Sequence, residues 1–184
     1  KKPTMKETEP INLKCFHYSI HGKKHLSNSS VEIQDVKISE TETEKGLVVL
    51  NDLKKDEIIY IYSNPLLDKP TKYTLQISSN GHIDAATDWK YFNHSCEANC
   101  EVVVPESNEK LNYGEYASLI IRTIKPIPAG SQLSINYFCT EYDMATPFPC
   151  GCGAPTCKKT IQGYKYLTVE DKASLVPKPA YYLK

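Results

Sequence analysis

Asn93-His94-Ser95-Cys96, Leu133-Ser134-Ile135-Asn136-Tyr137 and Cys150-Gly151-Cys152-Gly153-Ala154-Pro155-Thr156-Cys157 are the stretches whose joint reading decides the fold of this chain. The last places three cysteines as Cys-x-Cys-x4-Cys, with Gly151 and Gly153 interleaved so that the backbone can wrap tightly. Zinc takes four thiolate or imidazole ligands in a tetrahedron, so one loop supplies three and the fourth must come from elsewhere. Disulfides are the other use for clustered cysteines. No charged-then-apolar leader is visible, so a reducing compartment and a metal are the simpler account.

A chain of 184 residues can bury a real core as one domain. Lys+Arg and Asp+Glu both total 22, so the formal net charge is zero. That argues against a protein whose main work is neutralising phosphates. Arg122 is the only arginine, and bidentate contacts to phosphate or guanine favour arginine. Nucleic-acid binding is therefore not expected. No apolar run reaches the ~18 residues of a membrane span, and an intracellular place, nuclear or cytoplasmic, is the expectation.

Along the chain, residues 1–10 are rich in Lys, Glu, Thr and Pro and read as a loose arm. Two weakly apolar stretches follow, Ile11–Ile20 and Val31–Ile38. From Leu47 onward short β-branched runs predict strands at Leu47–Leu50, Glu57–Tyr62, Tyr73–Ile77, Glu101–Val104, Tyr116–Ile124 and Ser131–Ile135. Turn residues separate them at Ser63-Asn64-Pro65, Asn80-Gly81, Pro105–Gly114 and Pro126–Gly130. Thr168-x-x-Asp171 is a capping pattern for one short helix ending before Pro177.

Taken together, the motifs resemble the SET family of S-adenosylmethionine-dependent protein-lysine methyltransferases with a zinc-bearing post-SET segment. Lys90-Tyr91-Phe92-Asn93-His94-Ser95-Cys96 is similar to the family's Arg-Phe-Ile-Asn-His-Ser-Cys, and Glu97-Ala98-Asn99 to its Asp-Pro-Asn. Gly130-Ser131-Gln132-Leu133-Ser134-Ile135-Asn136-Tyr137 resembles its Gly-Glu-Glu-Leu-Thr-Phe-Asp-Tyr. The resemblance covers roughly residues 44–176. Thr140–Ala145 and Ile161–Leu167 look most like small stand-alone SET proteins. It implies a mostly β fold of several small sheets, with a knot-like C-terminal threading, few short helices and a zinc-stapled post-SET. The implied division is an N-terminal arm and flanking segment (1–43), a SET domain with a minimal insert (44–147), a post-SET zinc segment (148–167) and a C-terminal short helix and tail (168–184).

The resemblance also implies roles. S-adenosylmethionine would lie against Lys45, Gly46, Leu47, Lys90, Tyr91, Asn93, His94, Tyr137 and Phe148. The Asn93 amide offers donor and acceptor to the amino-acid end, and the His94 backbone meets the adenine edge. Cys96 becomes the fourth ligand of a structural zinc, preferred over Cys100, beside Cys150, Cys152 and Cys157. Tyr137 carries catalysis, with Tyr62 second. Tyr142 or Phe148 would cover the adenine or the lysine channel. The implied activity is methyl transfer to a lysine ε-amine of a protein or peptide. Methyl transfer from a sulfonium needs a neutral amine, in-line alignment and little water. No strong general base is evident in the motifs.

This chain departs from the family pattern at several points. Only Gly46 is kept of a Gly-x-Gly loop, with Glu44 ahead of it. Lys90 replaces a planar guanidinium by a point charge. Asn136 stands where Asp is usual. Ile135, with Val102, implies room for a methylated amine and so for more than one methyl per lysine. Only Ser63–Lys72 lies where many SET enzymes carry a helical wall, so the groove is expected to be open. A zinc-rich pre-SET region is not expected, since Cys15 is the only cysteine before Cys96 in this sequence. Two other classes stay open on sequence grounds: a degenerate SET module that binds protein without catalysis, and a methyltransferase for a small amine or short peptide. His17, His21 and His25 recur every four residues, but Gly22 and β-branched neighbours speak for a solvated arm over a helical metal site.

Overall fold

Short β-branched runs bounded by Gly, Pro and Asn make short strands, and among the described residues these form five small sheets. The structure is a computed structural model, and it describes residues 31–85 and 88–184. The histidine series at 17, 21 and 25 lies outside the described residues.

Strand β1 (Val31–Lys37) pairs antiparallel along its whole length with β2 (Thr43–Val49), from Val31 opposite Val49 to Lys37 opposite Thr43. It occupies the stretch read as an arm and flanking segment. The central sheet sets β3 (Ile58–Pro65) against β8 (Tyr116–Thr123) and β8 against β7 (Cys100–Val103). Ile59, Leu119, Ile121 and Cys100 are fully buried there. These are the inward positions of alternating strands. A hairpin of β4 (Thr74–Gln76) and β5 (His82–Asp84) turns over Asn80-Gly81; β5 is a strand the sequence reading did not predict. His82 and Asp84 break the β-branched pattern that identified the others.

Strands β6 (Asn93–His94) and β9 (Ser134–Ile135) are only two residues each, and they pair in parallel. That pairing is the device that matters for the site. It lays the Asn-His segment beside the strand that leads into Tyr137, 43 residues after His94 in sequence. Asn99 secures it, donating through Nδ2 to the Gln132 carbonyl (2.8 Å) and accepting the Ser134 backbone N–H at Oδ1 (2.9 Å).

After β9 a 3-10 turn covers Tyr137–Cys139, capped by Asn136, whose side chain accepts from the Phe138 N–H. An amide oxygen suffices for that cap, so the change from the family's Asp leaves this local bond in place. Strands β10 (Phe148–Pro149) and β11 (Thr160–Ile161) flank the cysteine loop. One α-helix, α1 (Val169–Ala173), begins at Thr168, whose hydroxyl accepts from the Asp171 N–H as the capping pattern requires. The mostly β reading is borne out.

Candidate active site

A cavity of 680 Å³ opens between β2, the β4–β5 hairpin, the Lys90–His94 segment, β9 and the start of the cysteine loop. Its lining includes Lys45, Lys90, Tyr91, Asn93, His94, Tyr137 and Phe148. Residues 44 positions apart and more thus converge on one space.

Asn93 is held by its amide nitrogen, which donates to the Lys45 carbonyl (3.1 Å) and to Gln132 Oε1 (2.8 Å). The Lys45 carbonyl can only accept, so the NH2 points there and Oδ1 is the atom free for a ligand donor. Gly46 is what permits this contact. A Cβ at residue 46 would stand 2.5 Å from Val36 Cγ2, 2.8 Å from Gln132 Oε1 and 3.1 Å from Asn93 Nδ2. The glycine is therefore required first by β1 and by the Asn93–Gln132 pair.

His94 sits between two partners. Its Nδ1 accepts the Tyr137 backbone N–H at 3.1 Å, which places the ring proton on Nε2, facing Cys96 Sγ at 3.3 Å. Burial pulls its pKa down to about 3, so the ring is neutral. His94, Tyr137 and Phe148 form an edge-to-face triangle with centroids 5.3, 6.0 and 6.3 Å apart. Phe148 thereby ties the cysteine loop to the cavity wall.

The Tyr137 hydroxyl donates to the Phe92 carbonyl at 2.7 Å. Burial, and then the nearby Glu141 and Glu44 carboxyls, hold the phenol above its ordinary pKa, so it stays protonated. With its proton committed to Phe92, the oxygen keeps lone pairs for other contacts. Tyr62, the second catalytic expectation, is placed elsewhere. It is buried in the core, does not line the cavity, and donates to the Asp84 carbonyl at 2.8 Å, linking β3 to β5. Leu47 is likewise a core residue; its carbonyl accepts from the Leu133 N–H, and it does not line the cavity. Of the two candidate covers, Phe148 lines the cavity, whereas Tyr142 is exposed and does not.

The expected open groove is partly closed. Pro70–Leu75 line the cavity, so a short turn fills part of the place of a helical insert. Ile135 is buried and lines it too, while Val102 does not.

Cys96, Cys150, Cys152 and Cys157 come together with all four Sγ atoms within 4.8 Å of one another. Cys100 is buried in β7, opposite Thr123. Zinc–sulfur bonds of about 2.3 Å in a tetrahedron put the sulfurs about 3.8 Å apart, so a small closing movement suits the donor set. Burial pushes the Cys96 thiol up to about 11, and a cation is what would let four partly buried thiolates coexist. The Lys158 N–H reaches Cys96 Sγ at 3.4 Å. Gly151 lies so close to the β1–β2 turn that a Cβ there would meet Ser39 Cβ at 2.5 Å. Gly153 takes φ +71°.

The SET domain family model matches residues 27–138, well over half of the chain. The chain belongs to the SET domain family. The match begins at residue 27, ahead of β1. A histone-lysine N-methyltransferase described as H3 lysine-36 specific, from Gibberella zeae, is 28% identical over 165 residues, 78% of this chain and 17% of that protein. One of the same description from Coccidioides immitis is 30% identical over 148 residues, 69% of this chain and 14% of that protein. This SET domain thus spans about a sixth of the length of these relatives. Among solved structures, KRYPTONITE in complex with mCHG DNA and SAH shares the fold at TM-score 0.51 and 19% identity, covering 67% of this chain and 27% of that one.

Two residues at the site carry no local signal in the sequence: Gln132, behind Asn93, and Glu141, on the cavity wall. Gln132 was placed in a family motif without a role, yet its amide holds Asn93. Glu141 is buried on the cavity wall, and no local pattern marks a carboxyl that becomes buried through long-range pairing.

Proposed function

We propose that this SET domain transfers a methyl group from S-adenosylmethionine to a lysine ε-amine of a protein. One observation carries the reading: the β6–β9 parallel pair puts Asn93, His94 and Tyr137 on one cavity, next to the four-cysteine cluster. When bound, S-adenosylmethionine supplies an electrophilic sulfonium methyl. Asn93 Oδ1 is free to accept from an α-ammonium, and Lys90 brings positive charge for a carboxylate, the Lys45 ammonium being paired with Asp35 at 2.7 Å. Tyr137 presents an oxygen whose own proton is engaged, so its lone pairs can align the methyl and the amine. Phe92, Ile135 and Leu75 offer an apolar wall against which an amine loses its proton more easily. Zinc would be held by Cys96, Cys150, Cys152 and Cys157 as a closed structural site. The histone specificity of the relatives supports a histone-type substrate, and with it nuclear action.

Isothermal titration of zinc-replete protein with S-adenosylmethionine tests the cofactor half. Micromolar binding is expected, weakened about 10–100-fold in Asn93→Ala through loss of a charge-assisted hydrogen bond. Equal affinity of the two proteins would remove Asn93 from the site.

Ile135 stands where a bulkier aromatic would narrow the cavity. Mass spectrometry of a histone H3 substrate at long reaction times is expected to show dimethylated lysine. Product that stops at one methyl under saturating S-adenosylmethionine would contradict the assignment of space to Ile135.

A further inference from the structure

Glu141 is a buried carboxyl on the cavity wall, and nothing in the proposed methyl transfer uses it. It follows Tyr137 by one turn, with its N–H bonded to the Tyr137 carbonyl at 2.8 Å. Its Oε1 accepts the Gln76 N–H at 2.9 Å, while the neighbouring Thr140 hydroxyl donates to the Tyr137 carbonyl at 3.4 Å. That fixes it on the β4 side, next to Leu75, which lines the same space.

A carboxyl this deeply buried is ordinarily paired with a cation. None of the ion pairs among the described residues includes Glu141; they join Lys45 to Asp35, Arg122 to Glu101, Lys158 to Asp171 and Lys165 to Asp143. The titratable groups facing it are Tyr137 and Tyr182, two phenols that burial holds protonated. The hydrogen bond from Gln76 leaves lone pairs of the carboxylate unused. A cavity that must admit a lysine side chain therefore has, in its wall, one buried carboxyl that no cation among the described residues pairs.

We propose that Glu141 is the counter-charge that recognises the cationic amine of the target lysine, and so a specificity-determining residue of this site. This rests on the methyl-transfer reading above. Lysine's ε-ammonium supplies a cation that the described residues do not place there, and a neutral side chain of similar length gains nothing from the carboxylate; the bound ammonium must still lose its proton before the methyl is transferred. Burial raises the Glu141 pKa to about 7, so the free protein holds a mixture of acid and carboxylate near neutrality. An arriving cation draws the carboxyl toward its ionised form and releases a proton. Recognition of the amine therefore strengthens as pH rises through about 7 and levels off above it.

Two probes make this measurable without a known substrate. One is S-adenosylhomocysteine, which has no group in the methyl position. The other is the S-adenosylmethionine analogue in which an amine-bearing carbon replaces the sulfonium, so that a cationic amine stands where the methyl would. Both are titrated calorimetrically into the full, zinc-loaded chain between about pH 6 and 8, in buffers of different ionisation enthalpy. In the wild type the amine analogue is expected to bind about tenfold more tightly than S-adenosylhomocysteine. Its advantage should grow with pH, and its binding near pH 7 should release about half a proton. Glu141→Gln keeps an acceptor for the Gln76 N–H. It should bind S-adenosylhomocysteine as before, lose most of the advantage and release no proton. An advantage that is flat with pH in the wild type, or that survives in the variant, overturns the assignment while leaving the cofactor reading intact. The wild-type pH series decides the matter even if the variant folds poorly. Failure of both probes to bind the wild type overturns the cofactor reading, and this inference with it.

Discussion

Stripping the four-cysteine cluster with a chelator, or replacing Cys150 by Ser, is expected to release the post-SET loop and abolish S-adenosylmethionine binding. No residue from Phe148 to Thr160 is buried, and the loop's only strand pairing is the two-residue contact of β10 with β11. Apolar burial therefore cannot hold it. Structural zinc sites contribute on the order of 10 kcal/mol, more than any other local interaction here. The loss should reach the cavity, because Phe148 packs on His94 and Tyr137, and because Cys96 lies 3.3 Å from His94 Nε2. Hydrogen exchange should show residues 148–161 exchanging freely after chelation while the β3–β8–β7 sheet stays protected. A chelated protein with unchanged protection in the loop and unchanged cofactor affinity would rule out the staple.

Tyr137→Phe is expected to lower kcat about 10²–10³-fold, with S-adenosylmethionine affinity changed by less than about threefold. The ring still fills its place against His94 and Phe148. What disappears is the oxygen held by the Phe92 carbonyl and the lone pairs it offers to the reacting atoms. Tyr62→Phe makes the contrast. Its hydroxyl bonds the Asp84 carbonyl, which also accepts from Asn64 Nδ2 at 3.2 Å, so that change should cost about 1 kcal/mol of stability and little activity. Single-turnover rates and melting curves of the two variants separate the roles. A large kcat loss in Tyr62→Phe with normal stability would restore it to the catalytic set.

The difference between these tyrosines shows what a strand pattern conveys. Both end apolar runs, and alternation alone cannot say what the hydroxyl meets. Tyr62 belongs to β3, where a partner eight residues long and the neighbouring β5 carbonyl absorb it. Tyr137 begins a 3-10 turn beyond a two-residue strand, which turns its ring into the cavity. Gly46 shows a similar limit. Its sequence position pointed to close approach by a ligand, whereas Val36 and Gln132, distant in sequence, are what crowd it.

The sequence by itself determined the mostly β architecture, the Thr168 cap and the set of four cysteines. Each depends on local chemistry: β-branched runs between turn residues, a hydroxyl at a helix start, thiols at metal-ligand spacing joined to a family motif. Only the tertiary structure decided that Asn93 is gripped by Gln132, that the Tyr62 hydroxyl bonds the Asp84 carbonyl away from the cavity, that Pro70–Leu75 supply a wall, and that Glu141 is buried with no cation of the described residues beside it. These follow from pairings 22 to 65 residues long in sequence, such as Glu141 with Gln76 and Tyr62 with Asp84. Burial and electrostatics at such points are set by what the rest of the chain brings alongside, and no local pattern carries that information.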